Sequence, residues 1–142
     1  MITWSGRVLA FLGGAHILAA TALGHRHFGR WFSFGLWAPE ADITELPAPI
    51  GAFWMGPGSF GVPLLLLGCL VVWMDRRAIT PPGFLAWSLL AWTAVCALIF
   101  EPAPWVAATA AAVLLLIGIR RAAAPAPSGA AGSPPSAAAH SS

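Results

Sequence analysis

Four stretches of the chain contain no aspartate, glutamate, lysine or arginine, and all formal charges lie between or beyond them. They are residues 8–23, 51–74, 83–100 and 103–119, with lengths of 16, 24, 18 and 17 residues. The hydrocarbon core of a bilayer is roughly 30 Å thick and needs about 20 mostly apolar residues of helix to cross it. With a flanking residue or two, each stretch reaches that length. The pattern predicts an all-α integral membrane protein with spans at about 6–24, 50–74, 83–100 and 103–119.

The connections between the last three spans are short, so these neighbours are expected to be antiparallel. Helix association in lipid depends on the close packing of small residues. Gly13 and Gly14 give the first span such a face. The fourth span has a comparable face of alanines, namely Ala103, Ala107, Ala108, Ala111 and Ala112. We therefore expect residues 1–121 to form one compact four-helix bundle.

The distribution of arginines predicts the orientation of the bundle. With four spans, one side carries Arg7, Arg76, Arg77, Arg120 and Arg121, and the other side carries only Arg26 and Arg30. Short arginine-rich loops stay in the cytoplasm. We therefore predict a multi-pass protein of the cell membrane with both termini cytoplasmic and residues 25–49 as an outer loop. Residues 20–22 resemble a signal-peptide cleavage site, but glycines and His16 interrupt the apolar run, so we expect the first span to be retained.

The overall composition agrees with a membrane location. Charged residues make up 8% and apolar residues 58% of the chain, against about 25% and 45–50% in soluble domains. The formal charge of +2 is too small to indicate a nucleic-acid partner. The expected partner is the lipid bilayer, together with a membrane protein partner or a second copy of the chain. Residues 122–142 lack apolar periodicity, which predicts a disordered cytoplasmic tail.

The outer loop has two parts of different character. Phe28, Trp31 and Phe32 follow the spacing of one helix face, which is typical of a segment anchored at the membrane interface. A lid over an outward-facing cavity is the alternative, because long loops are often functional. The second part contains acidic residues, Glu40, Asp42 and Glu45. Their spacing does not match a calcium loop, which favours a solvated acidic surface.

Three residues are candidates for a ligand site in the outer half of the bundle. His16 is the one titratable nitrogen within a span and lies about 10 Å below the outer end of its helix. Ser59 lies roughly 13 Å below the start of the second span, beside two prolines that interrupt that helix. Glu101 follows the third span, where a carboxylate meets the unfavourable end of the helix dipole and needs a partner. Each residue also has a purely structural interpretation. His16 can be a neutral histidine with a satisfied hydrogen bond, Ser59 can belong to a kink that lets helices pack closely, and Glu101 can form a salt bridge at the outer rim.

The remaining chemistry of the chain is sparse. Cys69 and Cys96 differ in expected depth by roughly 10 Å, which exceeds the reach of a disulfide. No zinc-ligand spacing, phosphate loop or hydrolase signature is present, and His16 lacks a second histidine at matching depth for haem. The sequence therefore predicts no catalytic residues, no metal site and no cofactor.

Several short motifs resemble an uncharacterised bacterial family of small four-span membrane proteins. They are Trp4-Ser5-Gly6-Arg7, Gly14-Ala15-His16, Gly51-Ala52-Phe53-Trp54, residues 58–63 (GSFGVP), residues 75–82 (DRRAITPP) and Glu101-Pro102. The resemblance covers residues 1–121 and implies an integral membrane protein, but it implies no activity. A similarity to DoxX-like proteins in size and span count is an analogy of fold alone.

Two classes of function remain open. The first is a non-enzymatic bundle that binds an apolar ligand, a lipid or a membrane partner, and the absence of a catalytic set favours it. The alternative is a quinone- or haem-linked component of a membrane oxidoreductase, with its site near His16 and Glu101. A transporter would need a larger polar pathway than one histidine and one broken helix.

Overall fold

In the computed structural model, residues 1–33, 36, 46–99 and 102–124 are described, and the regular elements among them are all helical. In chain order they are α1 (Ile2–Gly24), a 3-10 turn (His25–His27), α2 (Phe28–Phe32), α3 (Ala48–Met55), α4 (Gly61–Arg76), α5 (Gly83–Ile99) and α6 (Pro102–Ala123). The predicted all-α class is confirmed for this part of the chain. The predictions for Glu40, Asp42, Glu45, Glu101 and residues 125–142 lie outside the described residues.

Two helical segments are long and apolar enough to cross a membrane by length and composition. They are Ile2–Phe32, with a mean hydropathy of 1.5, and Pro104–Ala123, with a mean hydropathy of 1.7. Gly83–Ile99 is a shorter apolar helix. The first segment continues past the predicted end of its span, because the 3-10 turn and α2 follow α1 without a break. Membrane-spanning length is therefore met by two segments of the described chain.

The second predicted span is divided at Pro57, as predicted, whereas Pro63 lies in the first turn of α4 and interrupts no helix, because amides there have no partner within the helix. Helix α3 ends at Met55 and α4 begins at Gly61, and Pro57 lies between them without an amide hydrogen to donate. The carbonyl that Pro57 would leave free, that of Phe53, instead accepts bonds from the amides of Gly56 and Gly58 at 3.1 and 2.9 Å. The tight turn thus satisfies the backbone inside the protein.

Helices α1 and α4 approach each other along a glycine seam, formed by Gly6 and Gly13 of α1 and Gly61 and Gly68 of α4. A Cβ atom on Gly13 would lie 2.5 Å from the amide nitrogen of Leu65 and 2.6 Å from the carbonyl oxygen of Gly61. These are backbone atoms, which cannot rotate away as a side chain can. The seam therefore sets the separation of the two helices, and any larger residue must push them apart.

The small faces predicted from the sequence are borne out only in part. Gly13 lies in the glycine seam, but a Cβ atom on Gly14 would meet nothing closer than 3.9 Å, so Gly14 lies beside the seam. On α6, Ala108, Ala111 and Ala112 are buried. The hydroxyl of the fully buried Ser5 donates a hydrogen bond of 2.6 Å to the carbonyl of Ala111, so α6 packs directly on α1.

Two buried clusters connect the four longest helices. One contains Ile2, Val71, Ala86, Leu115, Leu116 and Ile119, and the other contains Leu9, Leu64, Leu89, Ala111 and Ala112. Each cluster takes residues from α1, α4, α5 and α6. The first cluster lies near the N-terminus of α1 and the second lies further along it. The apolar core thus runs along the helices and is not confined to one end.

The end of α4 is closed by a turn that reverses the chain toward α5. The amide of Ile79 donates to the carbonyl of Met74 at 2.9 Å, and the amide of Ala78 donates to that of Asp75 at 3.0 Å. This pair of bonds is the Schellman motif, which requires a left-handed residue directly after the C-cap residue, here Arg77. Ala78 occupies it with φ of 55°, where glycine is the residue with the lowest strain. Proline residues 81 and 82 then precede α5.

Candidate functional site: a slot beside His16

The turn between α3 and α4 brings Ser59 against His16 of α1. The Nε2 atom of His16 lies 2.7 Å from the hydroxyl oxygen of Ser59, and that hydroxyl also lies 2.7 Å from the carbonyl oxygen of Gly56. A carbonyl only accepts, so Ser59 donates its one proton to Gly56 and must accept from His16. The contact therefore assigns the imidazole proton to Nε2. The structure thus joins two of the three candidate residues, while Glu101 lies outside the described part of the chain.

The imidazole ring of His16 is held on two further sides. Its centroid lies 4.4 Å from that of Phe60. A Cβ atom on Gly61 would lie 2.9 Å from Cδ2 of His16, so the missing side chain of this glycine makes room for the ring. Because Cδ2 faces α4 and Nε2 faces Ser59, the edge formed by Nδ1 and Cε1 is directed away from both. In the neutral ring Nδ1 is an acceptor.

His16 lies at one end of a slot of about 350 Å³ between α1 and α3. The α1 side and the adjoining 3-10 turn contribute His16, Ala19, Ala20, Leu23, Gly24 and His27, and the opposite wall contains Ala52, Met55 and Gly56. The positions on the first wall follow helical spacing over eleven residues, which corresponds to about 16 Å at 1.5 Å per residue. The slot is therefore elongated and mostly apolar.

The outer end of the slot is basic. Arg26 lines it together with His27, and Nε of Arg26 donates a hydrogen bond of 3.2 Å to Nε2 of His27. Arg26 is exposed and His27 is half-buried. No acidic side chain lines the slot among the described residues. A ligand therefore meets a guanidinium at the mouth, an apolar wall along its length and an imidazole at the inner end.

Trp31 fixes the neighbouring segment over the same helices. Its indole nitrogen donates to the carbonyl of Pro49 at 2.9 Å, and its ring contacts Phe53 at a centroid distance of 5.7 Å. A Cβ atom on Gly24 would lie 2.5 Å from the Trp31 ring. Trp31 is thus packed against α1 and α3, whereas Phe32 is exposed. The sequence alternatives of an interfacial anchor and a lid both stay predictions.

The arrangement of His16 and Ser59 bears on the chemistry of the site. A serine nucleophile needs a base that accepts its proton. Here the proton of Ser59 is directed to Gly56 and the imidazole donates to the hydroxyl. The described residues also contain no group of three side chains suited to hold a metal ion. In this geometry His16 does not act as a base toward Ser59.

Two groups of residues were not predicted from the sequence as part of the site. Arg26 entered only the prediction of orientation, and the signal for His27 is its position eleven residues, or three helical turns, after His16. Phe60 also packs on Trp92 and Trp105, with centroid distances of 6.0 and 4.9 Å. This aromatic cluster joins the turn before α4 to α5 and α6, and no local pattern indicates it.

No family model matches the chain, and neither the search of curated proteins nor that of solved structures found a match.

Proposed function

We propose that the protein is an integral membrane protein with four spans, formed by α1, by α3 and α4 together, by α5 and by α6. Support comes from the large apolar side chains at the surface, among them Phe11 at 72% exposure and Leu98 at 87%. A soluble protein rarely carries so many exposed apolar side chains with so few charges. Helix α5 has 17 residues and extends about 25 Å, which is close to bilayer thickness. Both termini would lie on the arginine-rich cytoplasmic side.

Within the bilayer, we propose that the slot binds an elongated apolar or amphiphilic molecule without changing it chemically. The observation that carries this proposal is the 350 Å³ slot itself, which ends on a hydrogen-bonded imidazole. Its elongated shape and apolar lining favour an elongated apolar molecule, and small-molecule sites are mostly apolar with few polar groups. The bundle would act as a carrier, sensor or partner subunit rather than as an enzyme.

The test compares two substitutions on the same helix. Ala19 lines the slot and Ala15 does not, and both are exposed residues of α1. The Ala19→Trp variant should fill the slot, while Ala15→Trp adds the same side chain one helical turn away, at a position that does not line the slot. Both variants and the natural chain are purified in mild detergent, and retained small molecules are identified by mass spectrometry. We expect a retained molecule to be lost from Ala19→Trp only. Equal retention by both variants would show that the slot is not the binding site.

The quinone- or haem-linked alternative is supported by the His16 ring stacked near Phe60. Against it, the Nε2 proton that would bind a quinone oxygen is already donated to Ser59. A visible absorbance band or a quinone in the purified protein would favour the alternative. If His16→Gln removed that band or quinone while melting of the protein stayed unchanged, the non-enzymatic proposal would have to be abandoned.

A further inference from the structure

Three arginine side chains lie over tryptophan rings at the surface of the protein. The distances from the guanidinium carbon to the ring centroid are 5.3 Å for Arg7 over Trp4, 5.0 Å for Arg77 over Trp73 and 5.5 Å for Arg120 over Trp87. All three tryptophans are exposed. We refer to these six residues as the arginine–tryptophan belt. Such contacts hold a guanidinium at a defined place and leave its edge free.

The belt lies at one end of the molecule. The hydroxyl of Thr3 donates to the carboxylate of Asp75, which joins the start of α1 to the end of α4. A Cβ atom on Gly118 would lie 2.7 Å from Ile2, which brings the end of α6 to the same place. The start of α5 follows the end of α4 after the short turn. The contributing helix ends are therefore neighbours in space.

The belt residues also lie at similar distances from the helix ends at this end of the molecule. Each one on α1, α4, α5 or α6 lies within five residues of the helix end, and Arg77 directly follows α4. At 1.5 Å per residue this places them within about 8 Å of that end. Tryptophan is enriched at the headgroup level of membranes, and arginine side chains extend toward the same level. The pattern is that of a belt in one membrane interface.

The charged side chains at this end are mostly positive. Arg76 and Arg121 lie beside the belt, and both are exposed. Asp75 is the one acidic residue among those described, and its carboxylate already accepts a hydrogen bond from Thr3. The guanidinium group presents five donors in a planar fork that matches phosphate oxygens. A guanidinium held over an indole ring can still donate its N–H groups to a phosphate.

We propose that the arginine–tryptophan belt binds the phosphate groups of anionic phospholipids and makes the protein select them from a mixed bilayer. The net positive charge favours anionic lipids over zwitterionic ones, because each arginine near a membrane surface adds to the attraction. The proposal rests on the proposed membrane insertion but not on the ligand slot. The belt thus acts both as an anchor at the cytoplasmic interface and as a lipid-selective surface.

The experiment measures which lipids stay with the full-length protein. The chain is reconstituted in an equimolar mixture of phosphatidylglycerol and phosphatidylcholine, insertion is checked by alkaline extraction, and the protein is recovered in mild detergent. Bound lipids are quantified by mass spectrometry. We expect phosphatidylglycerol to be enriched about threefold or more over the mixture. Failure of insertion would contradict the proposed function, whereas insertion without enrichment would overturn the lipid selectivity alone.

Matched variants assign the enrichment to the belt. Arg77→Gln should lower it, and the combined substitution of Arg7, Arg77 and Arg120 by glutamine should abolish it. Arg30→Gln removes an exposed arginine of α2, outside the belt, and should leave the enrichment unchanged. Because Arg77 follows the last residue of α4, the single variant keeps the test valid if the triple variant does not fold. An equal loss in Arg30→Gln would refute the assignment.

A further measurement distinguishes binding of a lipid headgroup from binding of a free anion. Inorganic phosphate is added during recovery at a concentration equal to that of phosphatidylglycerol. We expect the enrichment to persist, since a lipid is also held by its acyl chains. Complete displacement by inorganic phosphate would identify a soluble-anion site and overturn the proposal.

Discussion

The substitution Gly13→Ala tests the close contact of α1 and α4. In an unconstrained helix this change would stabilise by about 1 kcal/mol, because glycine is the poorer helix former. In the glycine seam the new Cβ atom would lie 2.5 Å from the amide nitrogen of Leu65, where ordinary contact begins at 3.4 Å. The helices must therefore separate locally by about 0.9 Å, and such overpacking costs typically about 1–3 kcal/mol.

The magnitude expected for Gly13→Ala lies near the upper end of that range. The atoms that the Cβ would meet belong to the backbone of α4, so no side-chain rotation relieves the contact. Separation also weakens the neighbouring contact at Gly68, where a Cβ atom would lie 2.3 Å from the amide nitrogen of Ala10. After the gain in helix propensity is subtracted, we expect a net loss of about 2 kcal/mol in the free energy of unfolding.

Gly14→Ala is the matched control, since it makes the same chemical change one residue away. Its Cβ atom would meet only Leu65 Cδ1 at 3.9 Å, so we expect no loss and a gain of up to about 1 kcal/mol. The free energy of unfolding is measured for both variants by SDS titration in mixed micelles. If Gly13→Ala proved as stable as Gly14→Ala, the proposed origin of the α1–α4 contact would be wrong.

A double substitution tests whether the seam acts as one unit. Gly13→Ala and Gly68→Ala both force the same two helices apart, so the second change meets an interface that is already wider. The combined loss should therefore be smaller than the sum of the single losses, by about 0.5 kcal/mol or more. Strict additivity would indicate that each glycine relaxes independently and that the helices do not move together.

Three further substitutions test local features of the fold. Ala78→Gly should stabilise by about 0.5–1 kcal/mol, because glycine relieves the left-handed strain at this position; a lower melting temperature would contradict this. Ser5→Ala should cost about 0.6 kcal/mol through loss of its bond to α6, whereas Ser88→Ala, at an exposed position, should cost less in the same titration. Trp31→Phe removes the hydrogen-bond donor to Pro49 and should lower the free energy of unfolding by about 0.5–1.5 kcal/mol. Backbone amides of α3 should then exchange faster, and unchanged exchange would show that Trp31 does not hold α3 in place.

The sequence was sufficient to predict the features that depend on local rules. Pro57 predicted the break between α3 and α4, because a missing amide hydrogen acts wherever the helix lies. Counting residues along two helices also put His16 and Ser59 at similar depth, and they form a hydrogen bond. Both inferences needed only the geometry of a single helix, and neither needed to know which helix faces contact each other.

Features that depend on helix rotation could not be predicted in this way. Gly13 and Gly14 are equivalent by composition, but a rotation of about 100° per residue directs only one of them at α4. The slot was missed because residues 25–49 were interpreted as a loop, whereas the helical path continues beyond Gly24 and aligns His27 with His16. Arg120 over Trp87 joins α6 to α5, a pairing that no sequence spacing indicates.

The glycines that set the packing also shape the candidate site. Gly61 leaves room for the His16 ring, and a Cβ atom on Gly56 would lie 3.1 Å from Cβ of Ala20 in the slot wall and 2.7 Å from the carbonyl oxygen of Ala52. A substitution at Gly61 would displace the imidazole ring, whereas one at Gly56 would press on the apolar wall. Ligand retention should therefore fall in Gly56→Ala, although this variant keeps both His16 and Ser59. If retention instead depended only on the presence of His16, the apolar wall would contribute nothing to recognition, and the shape of the slot could not be the basis of its selectivity.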